Sequence, residues 1–179
     1  VLSGFVEVDE TYTHGSETNN HANKKNRTET GYVVVEKTSV VGALQRDGNV
    51  IAKVIPDRTR KSIIPFVEQN VKEMSLLMTD DFNVYDCLDD KYYHNTTTHS
   101  ANHYVTGLVH TNSIEGFWSH LKRGIDGIYH WVSMTHLQSY VDEFSLRFNT
   151  RKHSTAERFD LILQNVAGRR LTYQTLINK

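Results

Sequence analysis

The sequence predicts a layered α/β domain with a helical tail. Three observations predict it. Short β-branched runs joined by a hairpin signal fill the first third. Strands then alternate with helical segments through the middle, the pattern of a sheet covered by helices. After residue 110 the apolar spacing is helical only. At 179 residues the chain suits one domain and can bury a sizeable core.

Phe5 to Tyr12, FVEVDETY, alternates in character and reads as the first strand. Thr13 to Gly31 is polar, has no apolar period, and reads as a loop or insertion bearing Lys24, Lys25 and Arg27. Tyr32 to Glu36 and Val40 to Arg46 are β-branched and apolar. Asp47-Gly48 is a hairpin signal, and Asn49 to Ile55 is the return strand. Thr59 to Val71 has helical spacing, with Pro65 early in the segment. Ser75 to Thr79 is a short buried strand running into Asp80-Asp81. Val84 to Leu88 suggests a short helix and Tyr92 to Thr98 another strand. Helices follow at Ser113 to Arg123, Met134 to Asn149 and Thr155 to Val166, with IDGIYHWV as a surface turn between the first two.

Composition excludes several classes. No apolar run approaches the roughly 20 residues of a membrane helix, and no secretory signal opens the chain. Cys87 is the only cysteine, which rules out an internal disulfide or a cysteine-based zinc site and fits a reducing compartment. Net charge is −1, so any nucleic-acid contact must come from local patches. The opening in strand-like sequence suggests one domain of a longer protein. The histidine spacings match no common zinc pattern, and Ser100, Ser113 and Cys87 lack the partners of a nucleophilic triad.

Three carboxylates stand out. Asp9 interrupts an apolar strand, where Asp is disfavoured. Asp80 follows the apolar run SLLMT, and Glu115 lies in the first turn of an amphipathic helix. A carboxylate beside a buried strand is costly unless a cation compensates it, and hard divalent ions prefer carboxylate oxygen. Asp80 and Glu115 also have plain structural readings, which Asp9 inside a strand lacks. Asn112 and Glu115 have capping-pair spacing, Asp80-Asp81 suits a turn and helix cap, and Glu7 and Glu10 could face solvent or support Asp9. On the later helix Ile114, Phe117, Trp118 and Leu121 form the apolar stripe. Glu115, Ser119 and Lys122 share a neighbouring polar face, from which Lys122 could meet a phosphate. Lys122-Arg123 also suits a solvated helix end. Trp118 reads as core, whereas Trp131 could stack on a base.

The segments VEVDETY, LLMTDDFNVY, HTNSIEGFWSHLKRGIDGIYH and YVDEFSLRFNTR, in this order, resemble the DDE transposases of bacterial insertion sequences, with the ISXO-like transposase domain the best match. The resemblance covers about Phe5 to Arg151, and Asp80 and Glu115 stand 35 positions apart, close to the spacing common in this superfamily. It implies an RNase H-like fold: a mixed central sheet flanked by helices, with residues 134–179 as a helical extension. It implies Asp9, Asp80 and Glu115 as catalytic ligands of two Mg²⁺ or Mn²⁺ ions. It further implies DNA as partner, contacts from Lys122, Arg123, Lys24, Lys25 and Arg151, and support from His110, Asn112 and Glu10. Action as a dimer or higher multimer on DNA, in a bacterial cytoplasm near the nucleoid, also follows from it. The family usually carries an N-terminal DNA-binding region that is not seen in this sequence. The alternatives are a catalytically inactive DNA-binding or protein-interaction module of transposase descent, and a related metal-dependent nuclease.

Overall fold

Alternating β-branched residues give β1 (Phe5–His14) two unlike faces, and the rest of the fold is built on that difference. The computed structural model describes residues 1–14, 37–97, 109–130 and 132–177. Strands β2 (Lys37–Gln45) and β3 (Val50–Ile55) form the expected hairpin, with Asp47 at φ 57° in its turn. Helix α1 (Arg60–Asn70), β4 (Leu76–Asp80), a 3-10 turn (Asn83–Leu88) and β5 (Tyr93–Thr97) follow. The five strands make one mixed sheet in the order β3-β2-β1-β4-β5. β1 and β3 flank β2 antiparallel, while β1–β4 and β4–β5 are parallel.

The two sheet faces bury separate cores. Val6 and Val8 of β1 point to a cluster with Ile63, Phe66 and Val67 of α1, and Tyr85 and Leu88 of the 3-10 turn. The opposite face packs on α2 (Asn112–Gly124) and α3 (Leu137–Asn149) through Val40, Leu44, Ile114, Phe117, Trp118, Leu121 and Val141. The predicted stripe of α2 is therefore the buried one. Period two then decides the placement of the acids: Glu7, Asp9 and Thr11 face α2, and Glu10 faces α1.

Several expectations need correction. Pro65 lies in the second turn of α1, past the first turn where a proline costs least, so one helical hydrogen bond is missing there. The IDGIYHWV segment is not a simple turn: Ile125–Tyr129 continue α2 as one π turn, ending at His130 with φ 59°. A 3-10 turn, Met134–His136, precedes α3. Helix α4 (Thr155–Val166) opens with a full capping box, in which Ser154 and Glu157 exchange bonds. A short α5 (Tyr173–Ile177) was not expected. Residues 13–31 as an insertion, the strand at 32–36, and Lys24, Lys25 and Trp131 lie wholly or largely outside the described residues.

Gly42 shows how tightly α2 meets the sheet. It pairs with Asp9 across β1 and β2. A methyl group on Gly42 would lie 2.6 Å from Trp118 Cη2 and 3.2 Å from Ile114 Cδ1. Gly42→Ala is therefore expected to cost about 1–3 kcal/mol by overpacking, read as a lower urea midpoint. Near-ultraviolet circular dichroism should report the displaced indole.

Candidate active site

Carried two residues past the Glu7↔Met78 pair, the β1–β4 register sets Asp9 beside Asp80 at the ends of two parallel strands. Both then share the face that α2 covers. Asp9, Asp80 and Glu115 line one cleft of about 390 Å³, together with Glu10, Thr11, Thr111, Trp118, Ser119 and Lys122. Three acids from three separate stretches of sequence therefore converge.

Their environment is costly for negative charge. Burial, with the Glu10 and Asp80 carboxylates nearby, pushes Asp9 up from 3.8 to about 7. Burial and Glu10 also raise Asp80. Asp9 Oδ2 accepts a bond from Trp118 Nε1 at 3.0 Å, and Asp80 Oδ1 accepts from the Phe82 amide at 3.3 Å. Glu115 is exposed and accepts from Thr111 Oγ1 at 3.0 Å. None of the three makes an ion pair among the described residues.

The flanking glutamates differ sharply. Glu7 is fully buried, not solvent-facing. Its carboxylate accepts from Arg46 Nε at 2.6 Å, from the Ser113 and Ile114 amides at 2.8 and 3.0 Å, and from Ser113 Oγ at 3.0 Å. It thus caps α2 from another element and places a charge where the helix dipole favours it. Asn112, expected as the cap, is the exposed first residue of the helix, and Thr111 occupies the N-cap position without a side-chain cap bond. His110 supports the same clamp: its carbonyl accepts from Arg46 at 2.8 Å, and its Nδ1 lies 3.4 Å from Glu7 Oε1. Glu10 is buried on the other face. It accepts from Arg58 through Nε at 2.8 Å and through NH2, and from the Tyr85 hydroxyl at 2.5 Å. Burial beside Glu10 raises Tyr85 well above the ordinary phenol value, so it stays a donor.

Of the cations expected at DNA, Lys122 lines the cleft. Arg123 turns to the Ser119 carbonyl and His120. Arg151 lies at the hairpin end, donating to the Gly48 and Phe148 carbonyls. The roles of Trp118 Nε1–H, Arg46 and Arg58 were not read from the sequence. The arginines have no local signal, being 39 and 48 positions from their partners.

Asp9 gives a pH prediction. Its folded pKa is raised, so between about pH 4 and pH 7 the folded state holds a proton that the unfolded chain has lost. Metal-free stability must then fall as pH rises through that window. Asp9→Asn removes this penalty and keeps an oxygen for Trp118. The variant is expected to exceed wild type by about 1–3 kcal/mol at pH 8, a gap that shrinks toward pH 5 in urea unfolding.

The whole arrangement, from β1 through α3, falls in the part of the chain, residues 1–149, that matches the ISXO2-like transposase domain. The chain belongs to this transposase family. It is also similar to a Haemophilus influenzae protein described as an uncharacterized transposase-like protein, with 28% identity over 100 residues, 56% of this chain and 80% of that one. Membership implies interaction with DNA, and the transposase domain is expected to act on it. Among the described residues no helix is long and apolar enough to cross a membrane, and no three acids, histidines or cysteines are already gathered into a metal cage.

The donor set nonetheless fits hard divalent ions. It is all carboxylate oxygen, two of its members are forced toward neutrality by burial, and none makes an ion pair among the described residues.

Proposed function

We propose that this transposase domain is an RNase H-like catalytic domain that cuts and joins DNA at insertion-sequence ends. The observation that carries the reading is a contrast. Glu7 and Glu10 are each ion-paired, whereas Asp9, Asp80 and Glu115, lining one cleft, make no ion pair among the described residues. The strand order, with an antiparallel β1–β3 and a parallel extension through β4 and β5, supports the fold assignment.

Asp9, Asp80 and Glu115 would hold Mg²⁺ or Mn²⁺. Two such ions would supply activation of an attacking oxygen and charge stabilisation of a leaving one. The protein's part is positioning. The β1 and β4 backbones fix the two aspartates, Trp118 Nε1–H orients Asp9, and the Glu7 clamp fixes the first turn of α2 and with it Glu115. Lys122, two turns beyond Glu115 on the same cleft, would hold a DNA phosphate. In the overall reaction, water cleaves a phosphodiester and frees a 3′-hydroxyl. That hydroxyl then attacks a target phosphodiester in line, one P–O bond forming as another breaks. No side chain becomes bonded to DNA.

The test uses a labelled element-end duplex and a supercoiled target, incubated with Mg²⁺ or Mn²⁺. Joined product is the expected result. Hydrolysis without joining would identify a nuclease instead, and DNA binding without cleavage would identify a non-catalytic module. Lys122→Ala is expected to weaken DNA binding at all sequences and to reduce its salt dependence by about one charge, read by fluorescence anisotropy across a salt series.

A further inference from the structure

Helix α4 is amphipathic but uncovered. Phe159, Ile162, Leu163 and Val166 recur at the spacing of one helical face and are 63, 42, 55 and 53% exposed. None of its residues is buried. Isolated helices of this length are marginal in water without a partner for the apolar face. The same chain carries an open groove of about 330 Å³ on the outer side of α2 and α3, lined by Phe117, His120, Phe144, Arg147, Phe148 and Arg151. Its floor is aromatic and its rim is cationic.

We propose that α4 of one chain docks in this groove on a second copy, so that two copies exchange arms about a two-fold axis. The chemistry matches. The apolar face of α4 meets Phe148, which is only partly buried, beside the edge of Phe144. Asp160, next to Phe159, has no ion pair among the described residues, and neither has Arg151 on the groove rim, which donates to the Gly48 and Phe148 carbonyls and lies over the Phe148 ring at 4.0 Å. The remaining charges of α4 are engaged locally. Glu157 closes the capping box, and Arg158 donates to the Thr150 carbonyl at 3.1 Å.

The arm's own placement favours a second copy over the chain's own groove. Arg158 ties the first turn of α4 to the end of α3, and held there no residue of α4 is buried. Docking on a second copy keeps that bond and buries the stripe. The arm lies beyond the family match, which ends at 149, and the proposal does not depend on the metal site.

Sedimentation of the full chain over a concentration series is expected to show a monomer–dimer equilibrium. Phe159→Glu with Leu163→Glu changes only exposed positions and is expected to weaken it at least tenfold, since two large apolar contacts are lost. Placement is read by cysteine trapping in a Cys87→Ser background. One chain carries Leu163→Cys, a second carries His120→Cys, and the two are mixed and oxidised. A crosslinked pair made of one chain of each kind is expected. A monomer at all concentrations, a dimer indifferent to the double substitution, or crosslinking only when both cysteines share one chain would each overturn the proposal.

Discussion

Asp80→Asn is expected to lower metal-dependent strand cleavage at least about 100-fold, because disturbing even the partners of metal ligands costs 10–100-fold. The loss should come without unfolding. Asp80 is raised by burial and by Glu10, so the folded state already disfavours its charge. A neutral amide of the same shape relieves that cost, and the Phe82 amide keeps an oxygen acceptor. Thermal unfolding without metal should therefore be unchanged or higher in the variant, while single-turnover cleavage collapses. A variant as active as wild type would remove Asp80 from the site.

Glu7→Ala carries the largest expected loss of stability, about 3–5 kcal/mol. The Glu7 side chain is wholly buried, and its removal takes the carboxylate away from Arg46, whose side chain is only 15% exposed. It also leaves the Ser113 and Ile114 amides without their acceptor at a helix end. An exposed pair gives the comparison. Glu68 meets Lys91 at 2.6 Å, with side chains 38 and 47% exposed, and Glu68→Ala should cost less than about 1 kcal/mol. Similar urea midpoints for the two variants would show that the clamp is not a principal support. Because the clamp holds the first turn of α2, Glu7→Gln should also reduce cleavage, through looser placement of Glu115.

What could be read in the sequence divides along the range of the interactions. The periods of FVEVDETY, SLLMT and IEGFWSHL are local, and they placed β1, β4 and α2 to within a few residues. The hairpin followed from Asp47-Gly48 for the same reason. Pairing of β1 with β4 is parallel and non-local, so the register beside Asp9 and Asp80 is not written in either segment. Glu7 keeps two alternatives in the sequence. Its position two residues before Asp9 puts both on the same face, yet its charge leaves solvent open beside support of Asp9, because Arg46, 39 positions away, gives no local signal. The Asn112 cap failed because the start of α2 is capped from β1 rather than from its own flank. Gly42 gave no signal, since the space it leaves is filled by Trp118 from a distant helix.

If Asp9, Asp80 and Glu115 hold a metal ion, calorimetric titration of Mn²⁺ into the purified protein, beside Asp9→Asn, will register it. Saturable binding to wild type with proton release near pH 7, as Asp9 gives up its proton, and loss of that binding in Asp9→Asn is the predicted result. No binding by wild type, even with DNA present, would contradict it and leave a DNA-associated module without catalysis.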